Sequence, residues 1–313
     1  MATREVLVIA GGTSSESEVS LKSGRRLLEG AHALGLRAEL AVVESPADVA
    51  ALPLGAGDLV LIGLHGGFGE DGRLQAYLDV LGVRYNGAGH RASAVGMDKV
   101  LTKQVAASIG IDTAPCALLS AHSGPPAFAD VARTLGLPFV VKPRAQGCSV
   151  DLALVEDEAG YTDAVAAAMR HDGRAVAEHY VDGVETTVGL LAGEILPAVE
   201  IGFEGKLFDH ATKFVPGRSE YRPSTLPRAV QERLAEQSAA LFRELDITDY
   251  GRVDYVVPPS GTPVLLEINT LPGMTNMSVY VYACTAAGLS YEDMLSRIIK
   301  AVEAKQHQPR PER

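Results

Sequence analysis

The chain has 313 residues, of which 47% are hydrophobic and 21% are charged, and its formal net charge at pH 7 is −11. This length and composition predict a folded protein of two or three domains, and the negative charge argues against nucleic acid or an anionic membrane surface as a partner. No apolar run reaches the roughly 18 to 20 residues that span a bilayer. The N-terminus lacks a secretory cleavage site, and the three cysteines fit neither a zinc spacing nor an even disulfide set, so the sequence predicts a cytoplasmic protein.

The first part of the chain alternates apolar strands with amphipathic helices. Strands are predicted at 6–10, 38–43 and 59–64, and helices at 19–33 and 74–81. This alternation is typical of a parallel sheet with crossover helices. Ligands of such sheets collect at loops beyond the carboxyl ends of the strands, and the loops at 11–16 and 65–72 fit that position.

The pattern changes near residue 97, where a new helix begins. Further strands are predicted at 137–143, 175–179 and 185–190, and domain boundaries near residues 97 and 184. Lys142 lies on the first of these strands, before a loop of small residues. A strand lysine is most often a surface residue, but a cation beside such a loop is also a candidate phosphate ligand.

The stretch 204–223 contains glycine, proline and many polar residues with little periodicity. A loop of that length inside a compact chain is usually functional and often closes over a site. We therefore predict a mobile lid at 204–223.

Three oxygen-bearing side chains near the end of the chain suggest a metal site. Asp254 precedes the turn cluster at 258–263, and Glu267 and Asn269 follow it, which predicts an antiparallel hairpin. A hairpin brings Asp254 near Glu267, and the period of two along a strand puts Glu267 and Asn269 on one face. Such donors suit Mg²⁺ held together with nucleotide phosphates, although a solvated acidic face would have the same pattern.

Five motifs occur in an order that is recognisable as a whole. They are GGTSSESEVS at 11–20, HGGFGEDG at 65–72, MDK at 97–99, KP at 142–143 and EINTLPGMT at 267–275. In this order they resemble the D-alanine–D-alanine ligase family of ATP-grasp carboxylate–amine ligases, over nearly the whole chain. The resemblance implies an α/β and α+β fold, with a Rossmann-like N-terminal domain at 1–96. It also implies two α+β ATP-grasp domains, at 97–183 and 184–313, that sandwich ATP.

The resemblance also implies roles for individual residues. Those expected to bind the nucleotide are Lys99, Lys142, Cys148, Ser149, Glu178, His179, Val181, Glu185, Phe208 and Lys213. Those expected to hold two Mg²⁺ ions are Asp254, Glu267 and Asn269. Those expected at the amino-acid substrates are Glu16, His65, Cys148, Phe214, Arg252, Gly273 and Ser278, and the catalytic group comprises Arg252, Gly273, Glu16 and Lys213.

Two of these residues have purely structural alternatives. Glu16 lies where an acidic side chain favours a helix dipole, and His65 ends a strand, where local partners commonly satisfy a histidine. The implied partners of the protein are amino acids, and a homodimer is an expectation because dimers are common among such ligases.

The implied reaction runs through an acyl phosphate. The carboxylate of one amino acid attacks the γ-phosphate of ATP, and the amine of a second attacks the acyl carbon, which gives a dipeptide, ADP and phosphate. Metal ions and lysines spread the charge of the transferring group. Arg252 and the Gly273 N–H would stabilise the tetrahedral oxyanion.

The sequence departs from the family only at the substrate end. Cys148 stands where the family has serine, Phe214 where it has a loop tyrosine, and Asp151 where it has glycine, and residues 210–212 are less acidic than usual. A thiol is a weak donor and phenylalanine has no hydroxyl, so the usual hydrogen-bonded latch with Glu16 cannot form in the same way.

Several interpretations of these departures stay open at this point. Some relatives that join D-alanine to D-lactate also have phenylalanine at the position of Phe214, which favours an ester product. Other amino acids could be ligated in a specialised pathway, or the changes could be tolerated drift in an ordinary D-alanine ligase. A non-catalytic protein that binds nucleotide or amino acids would show damaged metal ligands or lysines, and none is visible.

Overall fold

The computed structural model describes residues 5–209, 212–213, 215 and 217–305. Within these residues the strands form three sheets, one in each of the segments 5–85, 116–179 and 184–269. None of the described helices has the length and apolar character needed to cross a membrane. Sheets that alternate with helices in this way confirm the predicted α/β and α+β class.

The first sheet is parallel, with the strand order β2-β1-β3-β4. Its elements are β1 (Glu5–Gly11), α1 (Ser17–Ala33), β2 (Arg37–Val43), α2 (Pro46–Ala50), β3 (Leu59–Ile62), a 3₁₀ turn (Gly67–Gly69), α3 (Arg73–Leu81) and β4 (Arg84–Tyr85). Helix α1 packs closely on β1, because a Cβ at Gly24 would lie 2.4 Å from that of Ala10. The predicted strands and helices are all found, and the short α2 was missed because five residues carry no periodicity.

The second sheet is antiparallel, with the order β5-β8-β6-β7. Its elements are β5 (Cys116–Ser120), α6 (Phe128–Leu135), β6 (Phe139–Pro143), β7 (Ala153–Val155), α7 (Glu158–Ala168) and β8 (Arg174–His179). The two helices close a core around Phe139 and Tyr161 that draws only on residues between 117 and 177.

The third sheet is antiparallel, with the order β12-β11-β9-β13-β14, and β10 pairs with β9. Its elements are β9 (Val184–Leu191), β10 (Glu194–Ile195), β11 (Val199–Phe203), β12 (Ser219–Pro223), α8 (Arg228–Glu244), β13 (Tyr250–Val257) and β14 (Val264–Asn269). Strands β13 and β14 form the predicted hairpin.

The predicted loop at 204–223 is wrong at its end. Residues Ser219–Pro223 pair with β11, from Phe203 opposite Ser219 to Val199 opposite Pro223. The alternation that marks a strand is present only in the half-buried Tyr221 between exposed Glu220 and Arg222, which is too short a pattern to recognise in a polar segment. The segment left for the predicted lid is therefore 204–218.

The remaining helices join the three sheets. Helices α4 (His90–Met97) and α5 (Lys99–Ser108) pack on β14 of the third sheet. Helix α9 (Val279–Ala286) packs on β9 and β12 of the third sheet, and helix α10 (Tyr291–Ala304) returns to the first sheet, where Leu295 and Tyr291 press on Gly30 of α1. One apolar core consequently contains residues of the first sheet, the third sheet and the last two helices. The domain boundaries near 97 and 184 stay predictions.

Candidate active site

A cavity of about 810 Å³ lies where the three sheets meet. It is lined by loops after β1 and β3, by the loop after β6, by β8 and β9 with their connection, and by the β13–β14 hairpin. All the candidate residues named from the sequence line this cavity, except Phe214, which is outside the described residues. Residues that are distant in the sequence thus share one site.

The hairpin brings the three candidate metal ligands together. Asp254 lies directly opposite Glu267 in the β13–β14 register, and Asn269 lies opposite Arg252 on the same strand as Glu267. Among the described residues, no three His, Cys, Asp or Glu side chains form a metal cluster. Two carboxylates and an amide fit Mg²⁺, because this ion is commonly held by one or two carboxylates and completed by phosphate oxygens and water.

Glu267 is ionised in this site. Burial opposes the charged form, but Lys99, Lys213, Lys142 and Arg252 outweigh it and lower the pKa of Glu267 to about 2. Its Oε2 lies 3.8 Å from the Nζ of Lys99. The charged carboxylate can bind a metal ion, and the surrounding cationic side chains can bind an anionic ligand beside it.

Asp254 is oriented by two neighbours. The Arg252 guanidinium donates to both carboxylate oxygens, from Nε at 2.8 Å and from a terminal nitrogen at 2.8 Å, and the Thr187 hydroxyl donates to Oδ1 at 2.6 Å. Thr187 is buried on β9 directly opposite Asp254. The sequence analysis missed Thr187, since only the strand register reveals that it faces this carboxylate.

A buried row of charges lies at the end of the cavity formed by β6 and β8. Lys142 Nζ lies 2.8 Å from Oε2 of Glu178, and Lys103 Nζ lies 3.3 Å from Oε1 of the same carboxylate. Burial raises the pKa of Glu178, but Lys142 and Lys103 outweigh that effect and the net direction is downward. The sequence analysis missed Lys103, although its position four residues after Lys99 puts both on one face of α5.

Further residues expected to bind the nucleotide lie in the same cavity. Phe208 stacks on Phe203 with ring centroids 5.3 Å apart, and Lys213 Nζ lies 5.2 Å from the Phe208 ring centre. His179 lies at the end of β8, with Nδ1 2.7 Å from the Leu135 carbonyl oxygen. Burial, with help from nearby Asp254 and Glu267 and against the effect of Lys213, raises the pKa of Glu185 to about 7.

The loop after β6 is fastened to helix α5. Arg144 donates to both carboxylate oxygens of Asp98 at 2.9 and 2.8 Å, and Lys99 donates from Nζ to the Gln146 carbonyl oxygen at 2.6 Å. Asp98 also accepts from two N–H groups of the first turn of α5, and so caps that helix. These bonds join the second sheet to a helix that packs on the third.

Three non-glycine residues of this loop have left-handed backbone conformations. Cys148 has φ 51°, Ser149 has φ 53° and Asp151 has φ 50°. Such conformations are costly for residues with a side chain and are held by their surroundings. Asp151, at the family's glycine position, is held by His171 Nε2 at 2.8 Å and by Arg170 at 3.3 Å.

At the opposite end of the cavity, Glu16 meets Cys148. The Glu16 side chain is buried, makes no cap on helix α1, and accepts from the Cys148 thiol. Burial and the nearby Glu70 raise the pKa of Glu16, and burial together with Glu16 raises the pKa of the Cys148 thiol. A thiol thus occupies half of the predicted latch, and Phe214, the other half, is outside the described residues.

His65 is held by protein partners on both ring nitrogens. Nε2 lies 2.8 Å from the Ser23 hydroxyl oxygen and Nδ1 lies 3.3 Å from the Glu70 carboxylate. Ser23 also accepts from the backbone N–H of Met274 at 3.2 Å. This is the arrangement that the structural alternative for His65 expects, and the ring still forms part of the cavity wall.

The segment after β14 approaches Ser278. A Cβ at Gly273 would lie 2.8 Å from the Ser278 hydroxyl oxygen, so the backbone at 273 comes close to this side chain. Arg252, Gly273 and Ser278 all line the cavity. An arginine beside a backbone N–H can stabilise an oxyanion.

Several known proteins are similar to this chain over nearly its whole length. A family model described as "D-ala D-ala ligase C-terminus" matches residues 105–300. A curated D-alanine–D-alanine ligase from Anaeromyxobacter sp. (strain Fw109-5) is 37% identical over 309 residues, which are 96% of this chain and 98% of that protein. One from Laribacter hongkongensis (strain HLHK9) is 38% identical over 301 residues, 95% of this chain and 96% of that protein. The crystal structure of D-alanine–D-alanine ligase from Bacillus anthracis complexed with ATP superimposes with a TM-score of 0.84 at 30% identity, covering 97% of this chain and 98% of that chain.

Proposed function

The chain belongs to the D-alanine–D-alanine ligase family and is an ATP-dependent carboxylate–amine ligase, and we propose that D-alanine is its first substrate and that a second D-alanine is the amine it accepts. The observation that carries this proposal is the single cavity shared by the buried lysines, the hairpin carboxylates and Glu16. A phosphate site and an amino-acid site must adjoin if an amino-acid carboxylate is to attack ATP.

In this proposal the two ends of the cavity have separate tasks. Lys99, Lys142 and Lys213 hold the phosphates, and the first carboxylate attacks the γ-phosphorus, so that ADP leaves and an acyl phosphate forms. Glu16 faces the ammonium group of that amino acid. The amine of the second amino acid then attacks the acyl carbon, and phosphate leaves.

The tetrahedral oxyanion of the second step is stabilised by Arg252 and the Gly273 N–H. Donors of this kind contribute about 3–4 kcal/mol each to the transition state. Ser278 holds the carboxylate of the second substrate, and Glu178, Glu185 and the backbone at Val181 bind adenine and ribose. Because water hydrolyses an acyl phosphate, the lid at 204–218 excludes water from the loaded site.

Asp254, Glu267 and Asn269 are proposed to hold two Mg²⁺ ions together with the nucleotide phosphates. The ionised Glu267 and the donor set of two carboxylates and an amide support this assignment. When bound, Mg²⁺ supplies positive charge that stabilises the transferring phosphoryl group.

A second candidate is a ligase with an altered second substrate. The contact of the Cys148 thiol with Glu16 favours it, because a weak donor replaces the hydroxyl of the usual latch. A hydroxy acid in place of the second amino acid would then give an ester, and other amino acids would give a different dipeptide.

Location and assembly are proposed on the same basis. The cysteines Cys116, Cys148 and Cys284 are all free thiols, which supports the reducing cytoplasm as the compartment. A homodimer is proposed because such ligases commonly dimerise.

The test is phosphate release with ATP, Mg²⁺ and a single amino acid, followed by product identification by mass. D-alanine alone should yield D-alanyl-D-alanine, and L-alanine should yield little. Adding D-lactate or other D-amino acids at equal concentration separates the two candidates. Both candidate functions take D-alanine as the first substrate, so a product that contains no D-alanine residue would contradict both.

A further inference from the structure

Lys103 is a buried cation that the reaction described above does not use. Only 5% of its surface is exposed, and it is not among the residues that line the cavity. Its Nζ donates to the Ala114 carbonyl oxygen at 3.1 Å and lies 3.3 Å from Oε1 of Glu178. An unpaired buried ammonium group would destabilise the fold, so Lys103 depends on these two partners.

Glu178 connects Lys103 to the cavity. Its side chain is buried at 3% exposure, and its Oε2 lies 2.8 Å from Nζ of Lys142, which does line the cavity. The two ammonium groups therefore share one carboxylate, one on each oxygen. Lys142 and Glu178 alone would be a neutral pair, whereas the three groups carry a net charge of +1.

That surplus charge matters for an anionic ligand. Glu178 paired with Lys142 alone would cancel the charge of that lysine, whereas the second ammonium, 3.3 Å from the other carboxylate oxygen, leaves the three groups with positive charge for the nucleotide. Lys103 also lies on α5, which packs on the third sheet, while Glu178 lies on β8 of the second. The ion pair thus fixes the Glu178 carboxylate relative to the sheet that carries the metal-ligand candidates.

We infer that Lys103 is a positioning residue for the nucleotide, which holds the Glu178 carboxylate in place so that Lys142 is directed into the cavity and the three groups keep a net positive charge. This inference rests on the proposed nucleotide roles of Lys142 and Glu178. It assigns a function in ATP binding to a side chain that does not touch ATP. The amino-acid sites, at the other end of the cavity, should not respond to its removal.

The test is a double-mutant cycle read out by nucleotide binding. Lys103→Met removes the charge at nearly constant volume, and Glu178→Gln removes the carboxylate through which Lys103 acts. Calorimetry with ADP and with a non-hydrolysable ATP analogue, in the presence of Mg²⁺, measures affinity for each single variant and for the double variant. Gln104→Ala, at an exposed position on the same helix, is the matched control.

Lys103→Met should weaken nucleotide binding about tenfold, the loss expected when a buried charged hydrogen bond is removed. In the Glu178→Gln background the same substitution should change affinity by less than about twofold. KM for ATP should rise while KM for the amino acids stays constant. Unchanged affinity, or an equal loss in both backgrounds, would overturn the inference.

Two further measurements keep the outcome interpretable. Lys103→Gln, which retains a donor toward the Ala114 carbonyl, is judged by the same criteria if Lys103→Met does not fold. Nucleotide affinity is measured without turnover. A protein that binds ATP in this Lys103-dependent way but makes no dipeptide would therefore contradict the proposed function and leave the Lys103 inference standing.

Discussion

The proposed nucleotide end and the proposed amino-acid end of the cavity differ in secondary structure. At the nucleotide end most of the proposed side chains lie on paired strands and one helix, in β6, β8, β9, β13, β14 and α5, with Phe208 and Lys213 on the segment after β11 as exceptions. At the amino-acid end most lie on loops, with Glu16 after β1, Cys148 after β6 and Ser278 after β14, while Arg252 lies on β13. Ladder hydrogen bonds fix the first set, whereas the second depends on contacts between loops.

The difference extends to how charge is compensated. Glu178, Glu267 and Asp254 each lie beside a lysine or arginine within 4 Å. Glu16 instead accepts from a thiol, and its pKa is raised by burial and by Glu70. Paired charges on strands can support the same reaction in many relatives. Residues on loops can change, and with them the choice of substrate, without disturbing that reaction.

The largest expected effect is at the centre of the nucleotide end. Glu267→Gln should lower turnover about 10³-fold with the fold retained, because the metal ions proposed there stabilise several kcal/mol of transition-state charge. Phosphate release gives the rate, and circular dichroism verifies folding. Glu194→Gln, on the exposed strand β10, is the control, and wild-type rates for Glu267→Gln at ordinary Mg²⁺ would remove the metal assignment.

A second prediction concerns the cost of burying an acid without a cation partner. The pKa of Glu185 is raised from its ordinary value of 4.5 to about 7, so the metal-free folded protein binds a proton there more tightly than the unfolded chain. The free energy of unfolding should fall as pH rises from 4.5 to 7, by up to about 3 kcal/mol.

Glu185→Gln should remove that part of the pH dependence. Urea unfolding at several pH values, with EDTA present, measures the slope, and Glu236→Gln on the exposed face of α8 is the control. An unchanged slope in Glu185→Gln would contradict the raised pKa of Glu185.

A third prediction sharpens the role of strand register. Thr187→Val removes the hydroxyl that donates to Asp254 at 2.6 Å and should raise the Mg²⁺ concentration required for half-maximal activity about tenfold. Thr186→Val is the matched control, because its hydroxyl bonds only the Val184 carbonyl oxygen, at 3.3 Å. Equal effects of the two substitutions would contradict the orienting role of Thr187.

The smallest effect is expected at the loop-built end. Cys148→Ser together with Phe214→Tyr should shift product ratios a few-fold toward D-alanine as the second substrate, since both restore hydroxyl groups of the usual latch. Competition between D-alanine and D-lactate, with products separated by mass, measures the shift. A product ratio that does not move would show that selectivity lies elsewhere in the cavity.

The sequence was most informative where a function depends on strand periodicity. Asp254, Glu267 and Asn269 could be predicted to converge because a hairpin has only one alternation of faces, and the register bears this out. The parallel first sheet followed from its repeating pattern in the same way. These features depend on short-range order, which the sequence contains directly.

Features that depend on long-range contacts could not be predicted in this way. Thr187 and Lys103 belong to the site only because β9 pairs with β13 and α5 packs beside β8. The strand at Ser219–Pro223 exists because β11 offers it an edge. Nothing in the residues themselves distinguishes these positions from ordinary threonine, lysine or loop.

The apolar core shared by the first sheet, the third sheet and the last two helices has a mechanical consequence. The first and third sheets cannot separate without exposing that core, whereas the second sheet has a core of its own and is connected to the rest of the chain through residues 109–115 and 180–183. We expect ATP to enter the site by rotation of the second sheet about these two connections. The ion pairs Asp98–Arg144 and Glu156–Lys206 join the second sheet to the rest of the chain. We expect both pairs to break during this rotation.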